Sequence, residues 1–306
     1  MKPDPSATNE GQCVPPCSQE QHDGQAFVGT DQPSLGTSQV ATCPPKPFWL
    51  GAPGRRLFAT WYAGSAAPSA VVVICPPFFH EQFLSSRLFG LIAARLAQAG
   101  IACLRIDYYG TGDSEGSDAE FSIHGASEDI AVAVTAARAR AAGAPVVLLG
   151  IRAGGWPAWS VAANDASISQ LWVWQPILSG NEYLAELQRL DKAERTLRAD
   201  YPFCRQLGSY QEDGQLMGYA CPESLHHEIR NAQLTSHRLP DSTVLGVLTD
   251  HHTLEIPGFA LRRIELPKSR TQWKDRLEVR ATFLTRELHE PVDRLIAMLG
   301  TPRITA

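Results

Sequence analysis

The sequence lacks any apolar run long enough to cross a membrane. Its longest apolar stretches, such as Ala70 to Cys75, have the length of a strand and fall far short of the ~20 residues that a spanning helix needs. The first residues also lack an apolar segment after Lys2, which predicts that there is no signal peptide. We therefore expect a cytoplasmic protein with no transmembrane segment.

An excess of positive charge is also missing. The 306 residues include 27 Lys and Arg against 32 Asp and Glu, which gives a formal net charge of -5. This balance gives no reason to expect nucleic acid or an anionic membrane surface as a partner. The hydrophobic fraction of 44% is that of an ordinary globular chain. Composition leaves the oligomeric state open.

Cysteine is too scattered for a disulfide scaffold. The seven cysteines are an odd number and lie far apart. Cys75, Cys103 and Cys204 lie in apolar stretches, where a thiol packs as a small apolar side chain. One further group could suggest a metal site, but no strand or helix pattern flanks it, so we predict loose thiols and neither a metal nor a cofactor. This group is Cys13, Cys17, Cys43 and the nearby His22.

Large apolar residues are nearly absent from residues 1–45, where Pro, Ser, Gln, Gly and Asp dominate. Such a segment cannot bury enough surface to offset its ordering entropy. We predict a disordered tail over residues 1–45 and one folded domain over residues 46–306. Within that domain, residues 179–240 carry many charges and no strong strand pattern, which predicts a helical lid inserted over the sheet edge.

Between the tail and the C-terminus, short apolar runs alternate with amphipathic stretches. The runs predict strands over residues 57–62, 70–75, 101–106, 145–149, 170–174, 243–248 and 277–284. The amphipathic stretches predict helices over about residues 86–99, 124–142, 154–163 and 291–299. This alternation is typical of βαβ units. It predicts an α/β fold with a mostly parallel central sheet and helices on both faces.

One strand–turn–helix junction organises the chain. The apolar run from Val146 ends in Gly150-Ile151-Arg152-Ala153-Gly154, and a helical pattern follows. This is the shape of the elbow G-x-S-x-G, in which a strained turn holds a nucleophilic Ser above the sheet. The middle position here is Arg152, whose guanidinium stays protonated and only donates hydrogen bonds. The substitution removes the nucleophile on which acyl-enzyme chemistry depends.

Four motifs carry a resemblance to a known family. They are Pro76-Pro77-Phe78-x-x-Glu81, Asp107-x-x-Gly110-x-Gly112-Asp113-Ser114, Gly150-x-Arg152-x-Gly154 and Trp174-Gln175-Pro176-x-Leu178-Ser179-Gly180. Over about residues 55–300 the chain resembles an α/β hydrolase. In particular, it resembles the second of the two hydrolases associated with bacterial exosortase A systems. The resemblance implies an α/β-hydrolase fold, an elbow Arg as a family feature, and a link to exopolysaccharide or protein-sorting loci.

The strand-end loops define a candidate binding site, because ligands of open parallel sheets lie outside the carboxyl ends of the strands. The predicted binding residues are Pro77, Phe78, Glu81, Asp107, Ile151 and Arg152. The partial positive charge of a helix N-terminus repels an Arg unless a carboxylate meets it, and Glu81, Asp107 and Asp250 are the candidates. We therefore expect one of two arrangements. Arg152 either forms a buried ion pair that locks the elbow, or it holds a small acyl or anionic ligand.

Catalytic residues of this fold follow the order nucleophile, acid, His. Asp250 follows a late predicted strand, and His289 precedes the last predicted helix, so we predict these two as the catalytic residues of any remaining activity. Each also has a structural alternative, as a turn residue and as a residue at the start of a helix. Cys75, close to His80, is a further candidate nucleophile, with a packed thiol as its alternative.

Two functional hypotheses follow from these residues. In the first, the protein lacks serine-hydrolase activity and acts as a binding or accessory protein. In the second, it hydrolyses an ester, thioester or amide through Asp250 and His289, with water or an unrecognised nucleophile.

Overall fold

The structure, a computed structural model, describes residues 43–141, 143–199, 214–251, 254–268, 273 and 286–300. These residues form ten strands and six α-helices. The strands are β1 (Lys46–Leu50), β2 (Leu57–Tyr62), β3 (Val71–Cys75), β4 (Ala102–Ile106), β5 (Val146–Ile151), β6 (Ile168–Trp174), β7 (Gln215–Leu216), β8 (Tyr219–Ala220), β9 (Val244–Thr249) and β10 (Arg262–Glu265). The helices are α1 (Phe79–Gln98), α2 (Ile123–Arg140), α3 (Gly155–Asn164), α4 (Gly180–Ala199), α5 (Glu223–Asn231) and α6 (Arg286–Gly300).

Eight strands form one sheet in the order β1-β2-β4-β3-β5-β6-β9-β10. β2 runs antiparallel to β1 and β4, and every other neighbouring pair is parallel. The central strands β3 and β5 are buried along their whole length. Strands buried on both faces need continuous apolar sequence rather than alternation, which explains their runs of Val, Ile and Leu. The mostly parallel sheet that the sequence predicts is confirmed.

Helices cover both faces of this sheet, as predicted. Val71 and Val73 of β3 enter the core beneath α2 and α3, whereas Val72 and Ile74 enter the core beneath α1 and α6. The alternation follows from the period of two along a strand. Because both faces are closed, the carboxyl ends of the parallel strands remain as the edge where a site can form.

Two helices begin earlier than the sequence predicts. α1 begins at Phe79, after a connection of only three residues from β3, so Glu81 lies in the first turn of a helix and not in a loop. α6 begins at Arg286 and contains Pro291. Its buried stripe includes Leu288 and Val292, which extends the apolar face across the proline toward the N-terminus. His289 therefore lies inside this helix and not before it.

The two edge strands of the sheet are not predicted by the sequence pattern. β1 contains Pro47, and β10 reads Arg-Arg-Ile-Glu, so neither has the apolar run of a buried strand. Polar and proline residues are tolerated there because an edge strand has only one neighbour. The short hairpin of β7 and β8 in the lid region (residues 179–240) is likewise unexpected.

Several predictions fall on residues outside the described ranges. They concern residues 1–42 of the tail with Cys13, Cys17 and His22, the strand over 277–284, and Cys204. Cys43 is described and exposed. Within the described ranges, no helix is both long and apolar enough to cross a membrane.

Candidate functional site

The strained elbow is present, with Arg152 at its apex. Arg152 has φ of 52°, in the left-handed region that non-glycine residues seldom adopt. A Cβ at Gly154 would lie 2.1 Å from the carbonyl oxygen of Pro76, and one at Gly150 would lie 2.7 Å from the Cα of Gly155. Both glycines are therefore required by the close approach of the elbow to the end of β3 and to its own helix.

Left-handed backbone also occurs at the ends of two neighbouring strands. Phe79, which follows β3, has φ of 54°, and Gln175, which follows β6, has φ of 42°. Each such residue costs on the order of 1–3 kcal/mol, and surrounding packing must sustain it. The three strained residues lie at the carboxyl ends of β3, β5 and β6, which are adjacent in the sheet. Of the four non-glycine residues with left-handed backbone in the described ranges, three thus lie where the sequence analysis expects a site, and the fourth, Met217, lies in the lid region.

Arg152 forms a buried ion pair with Glu81. Its Nε and Nη2 donate to Glu81 Oε1 at 3.1 and 3.0 Å. The side chains of Arg152 and Glu81 are 13% and 2% exposed. The guanidinium also lies 5.4 Å from the ring centroid of Trp273, within the range of a cation–π contact. Of the three carboxylates proposed from the sequence, Glu81 is the one that pairs with Arg152.

Helix α4 of the lid region adds two side chains to this pair. The Tyr183 hydroxyl donates to Glu81 Oε2 at 3.1 Å, and Glu186 Oε2 lies 3.9 Å from Arg152 Nη2. The Tyr183 ring packs edge-on against Trp156, with centroids 5.7 Å apart. Sequence reasoning missed Tyr183, because no motif contains it, and Glu186 is one of many charges in the lid region. We call these four side chains, Glu81, Arg152, Tyr183 and Glu186, the elbow network.

The electrostatics of the elbow network keep Arg152 charged and Tyr183 protonated. Burial alone lowers the pKa of Arg152, but the charge of Glu81 and its hydrogen bonds outweigh burial, so the pKa of Arg152 is raised. Burial raises the pKa of Tyr183 well above its ordinary value, and the charge of Glu81 adds to this shift. At neutral pH both groups therefore act as hydrogen-bond donors, and neither is a nucleophile or a base.

Asp107 organises its own loop and does not meet Arg152. Its Oδ1 accepts from Gln82 Nε2 at 3.1 Å, and its Oδ2 accepts from the Asp113 amide at 3.1 Å. The Ser114 hydroxyl donates to the Asp107 carbonyl at 2.6 Å. Burial raises the pKa of the Asp107 carboxyl despite these bonds. The motif from Asp107 to Ser114 therefore has a structural role here.

Asp250 and His289 are not brought together by the described contacts. Asp250 Oδ1 accepts from Gln175 Nε2 at 3.3 Å, and Gln175 Oε1 accepts from Trp273 Nε1 at 2.5 Å. His289 lies exposed on α6, and among the described residues no hydrogen bond or ion pair joins it to Asp250. The imidazole nearest to Asp250 in these contacts is that of His251, at 3.8 Å, and its side chain is 79% exposed.

The remaining predicted binding residues are buried. Pro77 is buried, Phe78 is 1% exposed, and Ile151 is fully buried at the end of β5. The Phe78 ring packs edge-on against Phe121 and Trp156, with centroids 5.0 and 6.0 Å away. In the short connection between β3 and α1, Pro77 and Phe78 are buried and Pro76 is half-buried. These side chains support the elbow from the core.

Cys75 has the properties of a packed thiol. It is fully buried, and burial raises the pKa of its thiol far above the ordinary range. The nearby imidazole of His80 lies 3.2 Å, through Nε2, from the carbonyl oxygen of Trp273. A thiolate nucleophile at Cys75 is therefore disfavoured. Within the described ranges, no group of three or more His, Cys, Asp or Glu residues could hold a metal ion.

Comparison with known proteins agrees with this geometry. The model of the serine aminopeptidase family S33 matches residues 66–215, a range that includes the whole elbow. No curated protein shows significant sequence similarity to the chain.

Several solved structures, one of them named an α/β hydrolase, are similar to this one at low sequence identity. A thermostable carboxyl esterase from Bacillus coagulans is 13% identical, with 85% of this chain and 99% of that chain covered and a TM-score of 0.54. A hypothetical protein from Pseudomonas aeruginosa is 16% identical, with 88% and 99% covered and a TM-score of 0.53. The α/β hydrolase GrgF from Penicillium is 15% identical, with 84% and 98% covered and a TM-score of 0.51. These similarities show the α/β-hydrolase fold.

Proposed function

We propose that this member of the α/β-hydrolase superfamily does not carry out serine-type acyl transfer and acts as an accessory protein. The observation that carries the proposal is the ion pair between Arg152 and Glu81, which occupies the elbow. In a serine hydrolase the same position presents the hydroxyl that attacks the substrate carbonyl. A protonated guanidinium has no lone pair to offer in that step.

The surroundings of Arg152 support a locked elbow over an open anion site. Glu81 and Glu186 both lie against the guanidinium, and Tyr183 occupies the second oxygen of Glu81. An incoming carboxylate or phosphate would compete with Glu81 for Nε and Nη2 of Arg152, and Glu81 is 2% exposed, so it could not be rehydrated in place. Leaving one charge of a buried ion pair without its partner costs on the order of several kcal/mol. A small anionic or acyl ligand is therefore the second candidate.

The biological setting of the proposal comes from the sequence resemblance. The Pro-Pro-Phe, Gly-x-Arg-x-Gly and Trp-Gln-Pro segments resemble those of the second exosortase A-associated hydrolase. On that basis we propose a role linked to exopolysaccharide or protein-sorting loci. An accessory role fits a fold whose elbow is intact while its nucleophile position holds a cation.

A fluorophosphonate probe and a panel of short acyl esters test the proposal. We expect neither labelling nor turnover by the wild-type protein, with heat-denatured protein as the blank and an active serine hydrolase as the positive control. We also expect Arg152→Ser and Glu81→Gln/Arg152→Ser to stay unlabelled, because His289 lies exposed on α6. Wild-type turnover that is lost in Asp250→Ala and His289→Ala would overturn the proposal and support an active hydrolase.

Binding measurements address the second candidate. Isothermal titration with butyrate and with inorganic phosphate is expected to give no saturable heat. Saturable binding that disappears in Arg152→Met, with an unchanged circular dichroism spectrum, would instead assign an anion site to the elbow.

Labelling that appears in Arg152→Ser would show that only the nucleophile is missing, and it would overturn the expectation that His289 lies out of reach.

A further inference from the structure

The lid region contacts the rest of the chain at several places, including a hydrogen bond from Trp159 Nε1 to the His237 carbonyl, and two of these contacts are made by side chains of its helices. One is the elbow network, to which α4 contributes Tyr183 and Glu186. The other lies at the start of α2, where Glu228 of α5 accepts a hydrogen bond from the backbone amide of Ile123 at 2.6 Å. The first contact joins side chains of α4 to the side chains of Glu81 and Arg152. The second joins a carboxylate of α5 to a backbone amide.

The contact at α2 does not involve the elbow. The first turn of α2 contains no acidic residue, and Ser122 caps it by accepting from the Gly125 amide. Glu228 supplies the negative charge that the N-terminus of a helix favours. Nearby, Asp118 accepts from the backbone amide of Ala220, which ties the short hairpin to the body. The Glu228 bond holds α5 and the Asp118 bond holds the hairpin, and neither bond involves Arg152.

The contact at the elbow depends on Arg152. Glu81 accepts from Arg152 through Oε1 and from Tyr183 through Oε2, so one carboxylate joins the elbow to α4. Glu186 of the same helix lies 3.9 Å from Arg152 Nη2, the nitrogen that also donates to Glu81. With Ser at the elbow there would be no cation for Glu186 to approach and no partner for the buried charge of Glu81. The start of α4 is also tied to the end of α5, because the Gly180 amide donates to the Ala232 carbonyl at 2.8 Å.

We propose that the elbow network is a latch that keeps α4 closed over the elbow, while α5 stays docked independently through Glu228. The inference rests on the ion pair of the proposed function, and it adds a conformational role to Arg152. The latch covers an aromatic surface, since Trp156 beneath Tyr183 is only 4% exposed. Release of α4 exposes this surface without undocking α5.

Hydrogen exchange followed by mass spectrometry measures the latch directly. In Arg152→Met we expect the amides of α4 to exchange about tenfold faster or more, which is a modest estimate for the loss of a buried ion pair. The amides of α5 should change by less than about twofold, because local openings follow cooperative units. The fluorescent apolar probe ANS should bind to the variant more than to wild type.

A second variant leaves the ion pair intact. Tyr183→Phe/Glu186→Gln removes only the contribution of α4 and should accelerate exchange in the same helix. Arg189→Gln removes an exposed charge in the middle of α4, away from the dipole of the helix start, and as the control it should change the exchange of α4 by less than about twofold. Glu228→Gln should accelerate exchange in α5 and at the start of α2, and less in α4.

Two results would overturn the latch. One is α4 exchange equal to wild type in Tyr183→Phe/Glu186→Gln. The other is acceleration of α4 and α5 to the same extent, which would show that the lid region opens as one body. This double variant decides the question even where Arg152→Met fails to fold. Either failure leaves the absence of probe labelling untouched, so it is distinguishable from failure of the proposed function.

Discussion

Substituting Glu81 tests whether the elbow is held by a buried charge pair. Glu81→Gln keeps the size of the side chain but leaves Arg152, 13% exposed, without its principal carboxylate. Breaking a buried pair by removing one partner costs about 3–5 kcal/mol. Glu186 remains 3.9 Å away with a side chain 27% exposed, so it compensates in part. We therefore expect the free energy of unfolding to fall by about 3 kcal/mol, at the low end of this range.

Urea unfolding monitored by circular dichroism measures this loss, and a thermal scan should show a decrease in Tm of roughly 6–10 °C. Asp293→Asn is the control. It breaks a two-bond ion pair with Arg95 at 2.8 Å, but those side chains are 52% and 32% exposed. An exposed pair contributes about 1 kcal/mol or less. The contrast between the two variants isolates the effect of burial.

The double variant Glu81→Gln/Arg152→Met completes the test. Removing both charges eliminates the unpaired guanidinium, and replacing a whole buried pair is often neutral or stabilising. Tyr183 can still donate to the amide oxygen at position 81. The double variant should therefore recover most of the loss. A loss below about 1 kcal/mol in Glu81→Gln, or a double variant less stable than either single variant, would refute this account of the elbow.

Two further predictions concern the backbone and the thiols around the elbow. Gly154→Ala should lower the free energy of unfolding by about 1–3 kcal/mol, because its Cβ would meet backbone 2.1 Å away. The control is Gly300→Ala, which has open space around it and should change the free energy of unfolding by about 0.5 kcal/mol or less. Equal losses in the two variants would contradict the steric argument. Iodoacetamide at pH 8 should alkylate the exposed Cys43 and spare Cys75 and Cys103, because burial raises the pKa of Cys103 to about 12 and that of Cys75 further still. Peptide mapping that finds Cys75 modified as fast as Cys43 would restore it as a candidate nucleophile.

The sheet and its helices could be predicted from sequence because each central element repeats one simple pattern. Continuous apolar runs mark β3 and β5, and Gly100 and Gly143 follow the ends of α1 and α2. Edge strands do not show these patterns. β10 has one neighbour, β9, and its single fully buried side chain, that of Ile264, cannot produce a periodic pattern in four residues. The start of α1 was missed because the Pro-Pro segment suggests a longer loop.

The site was predictable only as far as topology brings residues together. Glu81 and Arg152 follow β3 and β5, which are neighbours in the sheet, so the strand-end rule places them side by side. Tyr183 follows no strand directly and reaches Glu81 across 102 positions of sequence. Trp273 reaches Gln175 across 98 positions. Contacts of this range depend on how helices pack over the sheet edge, which no local pattern encodes.

The balance of energies at the elbow explains how the fold keeps its form without a nucleophile. A cation at a helix N-terminus is disfavoured by about 0.3–1 kcal/mol, and the left-handed backbone of Arg152 costs on the order of 1–3 kcal/mol. The carboxylate of Glu81 prevents the further cost, about 3–5 kcal/mol, of a buried guanidinium without a partner, whereas the cost of the left-handed backbone must be met by the packing of the turn. Gly150 and Gly154 impose the turn for steric reasons that do not depend on the apex side chain. The elbow is thus required by packing, and its apex residue is free to change wherever a buried partner meets it.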